Sequence, residues 1–399
     1  MTISRQLAFG LAAGLAAACA LLASASFADE VKIGLVSTQT GTFAANGAEM
    51  LRGTQFAVDE ANAAGGIAGF TVSLATADDE GTPEGARRVA ERLTLDGYRI
   101  LTGPVFSSVV LALANQLSRW DAILFSGLAK SDRITGEACS PRLFHLLPSD
   151  SMDMAAFRPW LKTRPEKKIA IIAADFAWGQ DSSAALKTIA AEEGRNVVAT
   201  ILTPLGNKDF GPYIQQLSAS GAQIVVTILG GQDAINFVNQ AAGYAFSTGR
   251  VVAGIALLTQ PTIDATGSNM RGYQGEFDYA PTIETPENVA FTQSWMQKFG
   301  KLPSRNEAEA YLAVKIILHG VRLSGSNDPK AIAKALSGAD VPTLLGTLKL
   351  RKADNQLLRP EWFGEVQSVG GALRPVPQAE YAPEVIERPV SPACKMRSL

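Results

Sequence analysis

Ser107, Ser108 and Lys130 are the residues of this chain best placed to bind an anion. The two serines stand where a short apolar run, residues 99–102, gives way through Gly103 and Pro104 to a helical pattern over 107–119. The first N–H groups of a helix have no partner within it, and they carry the positive end of its dipole, so a carboxylate fits there. The Ser107 hydroxyl could add a bond to such a ligand. It could equally serve as the N-cap of the helix, and one residue can do both. Lys130 follows the next apolar run, 122–125, and would bring a full positive charge to the same place. Its alternative is a solvated surface lysine. Phe106 shares the first of these loops, and Leu128 and Ala129 the second, and all three are candidates for ligand contact.

Other chemistry is poorly represented. Asp78 and Asp79 could suggest a metal or an acid–base pair, but they precede Thr82-Pro83, a helix start, and read better as a cap and loop brace. His145 lies in an apolar stretch and is expected in the core, and His319 falls on a helical pattern far from the serines. A nucleophile elbow, a phosphate loop of the GxxxxGK[ST] type, an HExxH zinc motif and a GxGxxG turn after the first strand are all missing. Two histidines leave few candidates for general-base catalysis. No metal or cofactor is expected. A net charge of −2 gives no electrostatic case for nucleic acid or anionic membranes.

The elements that must position these residues alternate. Strands are expected at 31–37, 70–75, 99–102 and 122–125, with helices at 48–64, 83–95 and 107–119. Met50, Phe56, Ala57 and Val58 mark the buried side of the first helix, and Gly65-Gly66 stops it. A second round begins near residue 150, with strands at 168–173, 196–202, 223–228 and 250–254 and helices at 180–193, 210–218 and 234–243. This pattern predicts an α/β fold of two doubly wound, Rossmann-like lobes with parallel sheets. Three more helices are expected at 286–299, 306–323 and 329–336. In open α/β sheets ligands sit beyond the carboxyl ends of the strands, which selects the loops at 38–47, 78–81, 103–108 and 127–130.

The division expected is 29–148 for the first lobe, completed by about 280–344, and 149–279 for the second, completed by about 345–369. Crossings between them, and hence the hinge, are expected at 139–148, at 277–281 and in the strand pair 345–350 with 362–366. The tail, 370–399, reads as irregular wrapping. Residues 1–28 read as a secretory signal, with Arg5, an apolar Ala- and Leu-rich run and small residues before a cut after Ala28. A retained anchor would need a longer apolar run. Cleavage would leave two of the three cysteines, Cys139 and Cys394, and an oxidising compartment would pair them.

Taken in order, Lys32-Ile33-Gly34 with Gly41, the run 53–66, Asp78-Asp79 with Thr82-Pro83, Gly103 with Ser107-Ser108, and residues 175–179 resemble the solute-binding receptors of ABC uptake systems for branched-chain amino acids. The resemblance implies a type I periplasmic binding fold, a periplasmic location, capture of a small ligand between two lobes and delivery to permease and ATPase subunits in the inner membrane. It implies that Ser107, Leu128 and Lys130 hold the ligand carboxylate, that Asn46 stands where amino-acid binders carry an aromatic residue, and that the loop at Gly230-Gly231 contributes from the second lobe. Two departures stand out. The loop that supplies an acid for the ligand ammonium reads Ile255-Ala256-Leu257-Leu258, with Asp233 as the nearest substitute, and Lys130 replaces a small hydroxyl residue. An ammonium buried without a counter-charge is costly. The expected ligand is therefore a small carboxylate, either an amino acid or an amine-lacking organic acid packed on Phe106, Phe277 and Tyr279. A sensory subunit on the same fold and an exported enzyme are the alternatives.

Overall fold

The computed structural model describes residues 29–41, 43–396 and 399. The expected export signal lies outside the described residues. The first half of the chain runs β1 (Glu30–Ser37), α1 (Ala44–Ala63), β2 (Thr71–Asp78), α2 (Pro83–Leu95), β3 (Ile100–Gly103), α3 (Ser107–Ala114), β4 (Ile123–Ser126) and β5 (Leu143–His145). These strands form one parallel sheet in the order β2-β1-β3-β4-β5. Every residue of β3 and β4 is buried, as expected of parallel strands covered by helices on both faces.

The second round is α4 (Asp150–Lys162), β6 (Lys168–Ala174), α5 (Ala177–Glu192), β7 (Asn196–Thr203), α6 (Gly211–Ala219), β8 (Ile224–Ile228), α7 (Gly231–Gly243), β9 (Val251–Ile255), α8 (Gln260–Thr266) and β10 (Gln274–Phe277). Three helices then return to the first sheet: α9 (Pro286–Phe299), α10 (Arg305–Ser324) and α11 (Pro329–Leu336). α10 lies against α1 so closely that a Cβ on Gly53 would stand 2.1 Å from the Glu307 carbonyl oxygen. The start of α10 is fixed by a capping box, Ser304 with Glu307. Next come β11 (Asp340–Thr343), β12 (Gly346–Leu350) and β13 (Leu357–Leu358), a small antiparallel sheet, then β14 (Glu361–Val369), β15 (Ala372–Tyr381) and the short α12 (Pro383–Ile386). β14 and β15 extend the second sheet, whose order is β15-β14-β10-β9-β8-β6-β7.

Three expectations change. Residues 340–358 stay beside the first lobe, where Gln356 bridges to His145, so the third crossing falls at 359–360 and not in the strand pair 345–350 with 362–366. The tail is not irregular throughout, because Ala372–Tyr381 is a ten-residue strand. Its Pro375 and Pro377 argue against a strand in sequence, yet β15 is the sheet edge, where a missing N–H is tolerated. Helix α4, which carries Pro159 in its interior, was not expected at all. Cys139 and Cys394 form a disulfide.

The crossings lie between β5 and α4, after β10, and between β13 and β14. One buried guanidinium joins them. Arg359 Nη1 donates to the Leu146 carbonyl at 3.2 Å and Nη2 to the Asp278 carbonyl at 2.8 Å, while both reach Glu309 of α10 at 2.8 and 2.6 Å. Arg359 and Glu309 are 0% and 2% exposed. Removing one partner of such a buried pair leaves the other charge uncompensated. Arg359→Met should therefore lower unfolding stability in urea by about 3–5 kcal/mol, and the double variant with Glu309→Leu should recover part of that loss. A single-variant loss below about 1 kcal/mol would show that the crossings hold without this pair.

Candidate functional site

A cavity of about 160 Å³ lies between the two lobes. From the first lobe it is walled by the start of α1, the loops after β3 and β4 and the start of α10. From the second it is walled by the starts of α5, α7 and α8. These are the carboxyl-end loops of both sheets. Gly103 makes the approach possible, since its φ is +102° and a Cβ there would stand 2.0 Å from the Val36 carbonyl oxygen. Only glycine lets β3 turn toward the cavity that close to β1.

Among the described residues six helices begin at this cavity, and four of them, α1, α3, α5 and α7, share one feature. Their N-cap residues are Phe43, Phe106, Phe176 and Gly230, none of which makes a side-chain cap bond. By contrast, Thr259 and Ser304 cap the other two, α8 and α10, with their side chains, as Thr82, Thr285 and Asp328 cap helices elsewhere. First-turn N–H groups are thus left for a ligand on both sides of the cleft. The aromatic N-caps do a second job. Phe43 and Phe106 meet edge to face at 4.9 Å, Phe106 and Phe176 at 5.6 Å, and Phe176 and Trp178 are 5.7 Å apart. This row of rings spans both lobes and gives the cavity one apolar wall.

Ser107 is the first helical residue of α3 and not its cap. Its Oγ accepts the Ser131 N–H at 3.2 Å, and among the described residues its own hydrogen has no acceptor. It lines the cavity with Phe106, Leu128, Ala129, Lys130, Asn46 and Gly230. Ser108 and Tyr279 do not. Ser108 turns away along the helix, and the buried Tyr279 hydroxyl donates to Asn288 at 2.9 Å. Phe277 stacks on Trp362 behind the cavity. Asp233 accepts the Gly206 N–H at 3.0 Å and does not border the cavity.

Lys130 departs most from expectation. Its Nζ lies 2.8 Å from both Asp153 and Asp278 and 3.7 Å from Glu276. Burial pulls its pKa down, but these three carboxylates outweigh it and hold the ammonium above the usual lysine range. The side chain is neither a surface lysine nor a cation available to a ligand. Arg305, the first residue of α10 after its cap, borders the same cavity and is committed in the same way, through both arms of its guanidinium, to Asp278. Burial pushes the Asp278 carboxyl up, yet Arg305 and Lys130 together hold it well below the usual range.

Sequence reasoning missed Glu49. It borders the cavity, is 9% exposed, and accepts a bond from Asn306 Nδ2 at 2.7 Å. Burial raises its pKa. The signal was its place three residues after Asn46 and four before Gly53, on the buried face of α1. Asp78 and Asp79 brace their loop, accepting bonds from Gln39, Thr40, Glu80, Thr38 and Gly81. His145 is a core residue whose ring sits between the Ala129 carbonyl and the Gln356 amide.

A family model described as periplasmic binding protein matches residues 30–372. The chain is 28% identical to the Leu/Ile/Val-binding protein BraC3 of Rhizobium johnstonii, over 82% of this chain and 90% of that protein. Its fold is similar to that of a solute-binding protein of an ABC transporter from Rhodopseudomonas palustris BisB5 in complex with 3,4-dihydroxybenzoic acid, with a TM-score of 0.84 and 20% identity over 90% of this chain and 99% of that one. It is also similar to the closed form of a leucine-, isoleucine-, valine-, threonine- and alanine-binding protein from Brucella ovis, with a TM-score of 0.82 and 21% identity over 93% of this chain and all of the other. The family match spans both lobes and every loop that walls the cavity, and so the chain belongs to the periplasmic binding proteins, a family of solute receptors.

Proposed function

We propose that this protein is the receptor of an ABC uptake system and that it captures a small aromatic carboxylate. The observation that carries the reading is the convergence of four helix N-termini without side-chain caps on one cavity. Both cations at that cavity are already neutralised by internal carboxylates, so the ligand's negative charge is met by N–H dipoles and the Ser107 hydroxyl. The row of rings from Phe43 to Trp178 then packs the ligand body. The aromatic acid in the Rhodopseudomonas complex fits this reading. The protein is exported, with a cut after Ala28, and hands its ligand to permease and ATPase subunits in the inner membrane without making or breaking a bond.

Glu49 favours a second reading, in which the ligand is an amino acid and this carboxyl meets its ammonium. The name of the Rhizobium relative points the same way. Against it, burial raises the Glu49 pKa and so disfavours the ionised form that an ammonium needs, while a carboxyl in either form can exchange a hydrogen bond with a ligand hydroxyl.

A ligand bound only by the native state raises the melting temperature with saturation. Benzoate and hydroxybenzoates should raise it, and leucine and valine should not. The reverse pattern would establish the amino-acid reading. Ser107→Ala should weaken carboxylate binding about 10- to 100-fold by calorimetry, the size of one hydrogen bond to a charged group. Glu49→Met should weaken hydroxybenzoate about tenfold and leave benzoate within about threefold. Equal losses for both acids would mean that Glu49 shapes the cavity and does not read the ligand.

A further inference from the structure

Behind the ligand cavity, the elements at the crossings bring four buried carboxylates together. Asp153 comes from α4, Glu276 and Asp278 from the end of β10, and Glu361 from the start of β14. Their exposures are 0%, 2%, 0% and 0%. Lys130 and Arg305 face them from the first lobe, and the Arg359–Glu309 pair closes the cluster as a neutral unit. Two cations against four carboxylates leave two negative charges uncompensated. Hydrogen bonding points to the same two residues. Asp153 accepts from Lys130 and Asp278 from Arg305, whereas all four oxygens of Glu276 and Glu361 are buried and, among the described residues, have no hydrogen-bond partner. Oxygens of Asp153, Glu276 and Glu361 lie within 4.8 Å of one another. Carboxylate oxygens that close, with no donor between them, need hydrogens of their own.

We propose that Glu276 and Glu361 are each protonated at neutral pH, forming a two-proton site in the hinge that is loaded when the lobes close. Each proton comes from the buffer acid in solvent, which is left as its conjugate base, and converts a carboxylate into a carboxylic acid, whose O–H can donate within the triad. A divalent cation would balance the same charge, but it would have to sit beside the Lys130 ammonium, which stands 2.8 Å from Asp153 and 3.7 Å from Glu276. Burial and the neighbouring carboxylates push the Glu276 and Glu361 pKa values well above the usual range. Burial pushes Asp153 up to about 6, against the pull of Lys130.

Lys130 and Arg305 belong to first-lobe elements, while Asp153, Glu276 and Glu361 sit on second-lobe elements. Opening the lobes admits water to the cluster, which favours ionised acids, and draws Lys130 and Arg305 away, which favours protonated ones; burial is the larger influence on Glu276 and Glu361, so the closed form holds more protons. A group whose pKa is raised in the closed form stabilises that form at low pH and ceases to do so as pH rises through the raised value. Ligand capture should therefore take up protons and weaken with rising pH. This link to capture rests on the two-lobed receptor reading above, but proton occupancy does not.

The experiment has two arms. Infrared spectra of the wild-type protein at pH 7 should show the carbonyl stretch of buried carboxylic acid, shifted by deuterium, and Glu276→Gln and Glu361→Gln should each remove part of it. Absence of that band overturns the proposal, as does a stoichiometric divalent metal by elemental analysis with a fall in melting temperature on adding EDTA. In the second arm, benzoate binding is measured by calorimetry in buffers of different ionisation enthalpy. Net proton uptake is expected, with affinity falling by up to about tenfold per pH unit for each proton linked. Binding without proton uptake overturns the coupling. No benzoate binding at all, with the infrared band present, overturns the aromatic-acid receptor reading and with it the link to capture, and leaves the proton site standing.

Discussion

The two lobes meet around a buried arginine. Arg359 lies on the third crossing, bonds to carbonyls of the other two and is neutralised by Glu309 from α10. A guanidinium can do this because its donors form a rigid planar fork that reaches carbonyls and a carboxylate at once. With the crossings held in register, Lys130 and Arg305 can be spent on Asp153 and Asp278, and the floor of the ligand cavity is set. Charges that might have served the ligand serve the frame instead.

That division explains how the cavity can attract an anion without a free cation. Peptide dipoles at helix starts are fixed by the fold and need no reorganisation when a ligand arrives. Putting phenylalanines at the N-cap positions leaves those dipoles uncapped and supplies the apolar wall in the same step. A serine or aspartate at each position would have satisfied the helix and consumed the site.

Much of this was legible in the sequence. The alternation of apolar runs and helical patterns gave the parallel sheets, and the rule for strand ends picked the loops carrying Asn46, Phe106, Ser107 and Leu128 to the cavity. The fate of Lys130 was not legible, because Asp153, Glu276 and Asp278 come from elements up to about 150 residues away, and nothing local shows that they converge. Glu49 was hidden by its polarity, because it shares the buried face of α1 with apolar residues such as Met50 and Phe56, and a charged residue is not expected there. β15 was hidden by Pro375 and Pro377, which an edge strand tolerates. An aromatic residue near a crossing can face the ligand or the core, and the local sequence did not show that the Tyr279 hydroxyl is satisfied by Asn288, outside the lining of the cavity.

The disulfide gains a mechanical meaning from this topology. β15 and α12 pack with the second lobe, and the chain then returns to the first, where Arg388 donates to the Asp132 carbonyl and to Thr135 before Cys394 joins Cys139. The tail is thus a fourth connection between the lobes, closed covalently. Any movement of one lobe against the other has to be accommodated by this closed loop of chain as well as by the three peptide crossings. Reducing the disulfide would remove that fourth constraint while leaving the three crossings and the residues that line the cavity unchanged.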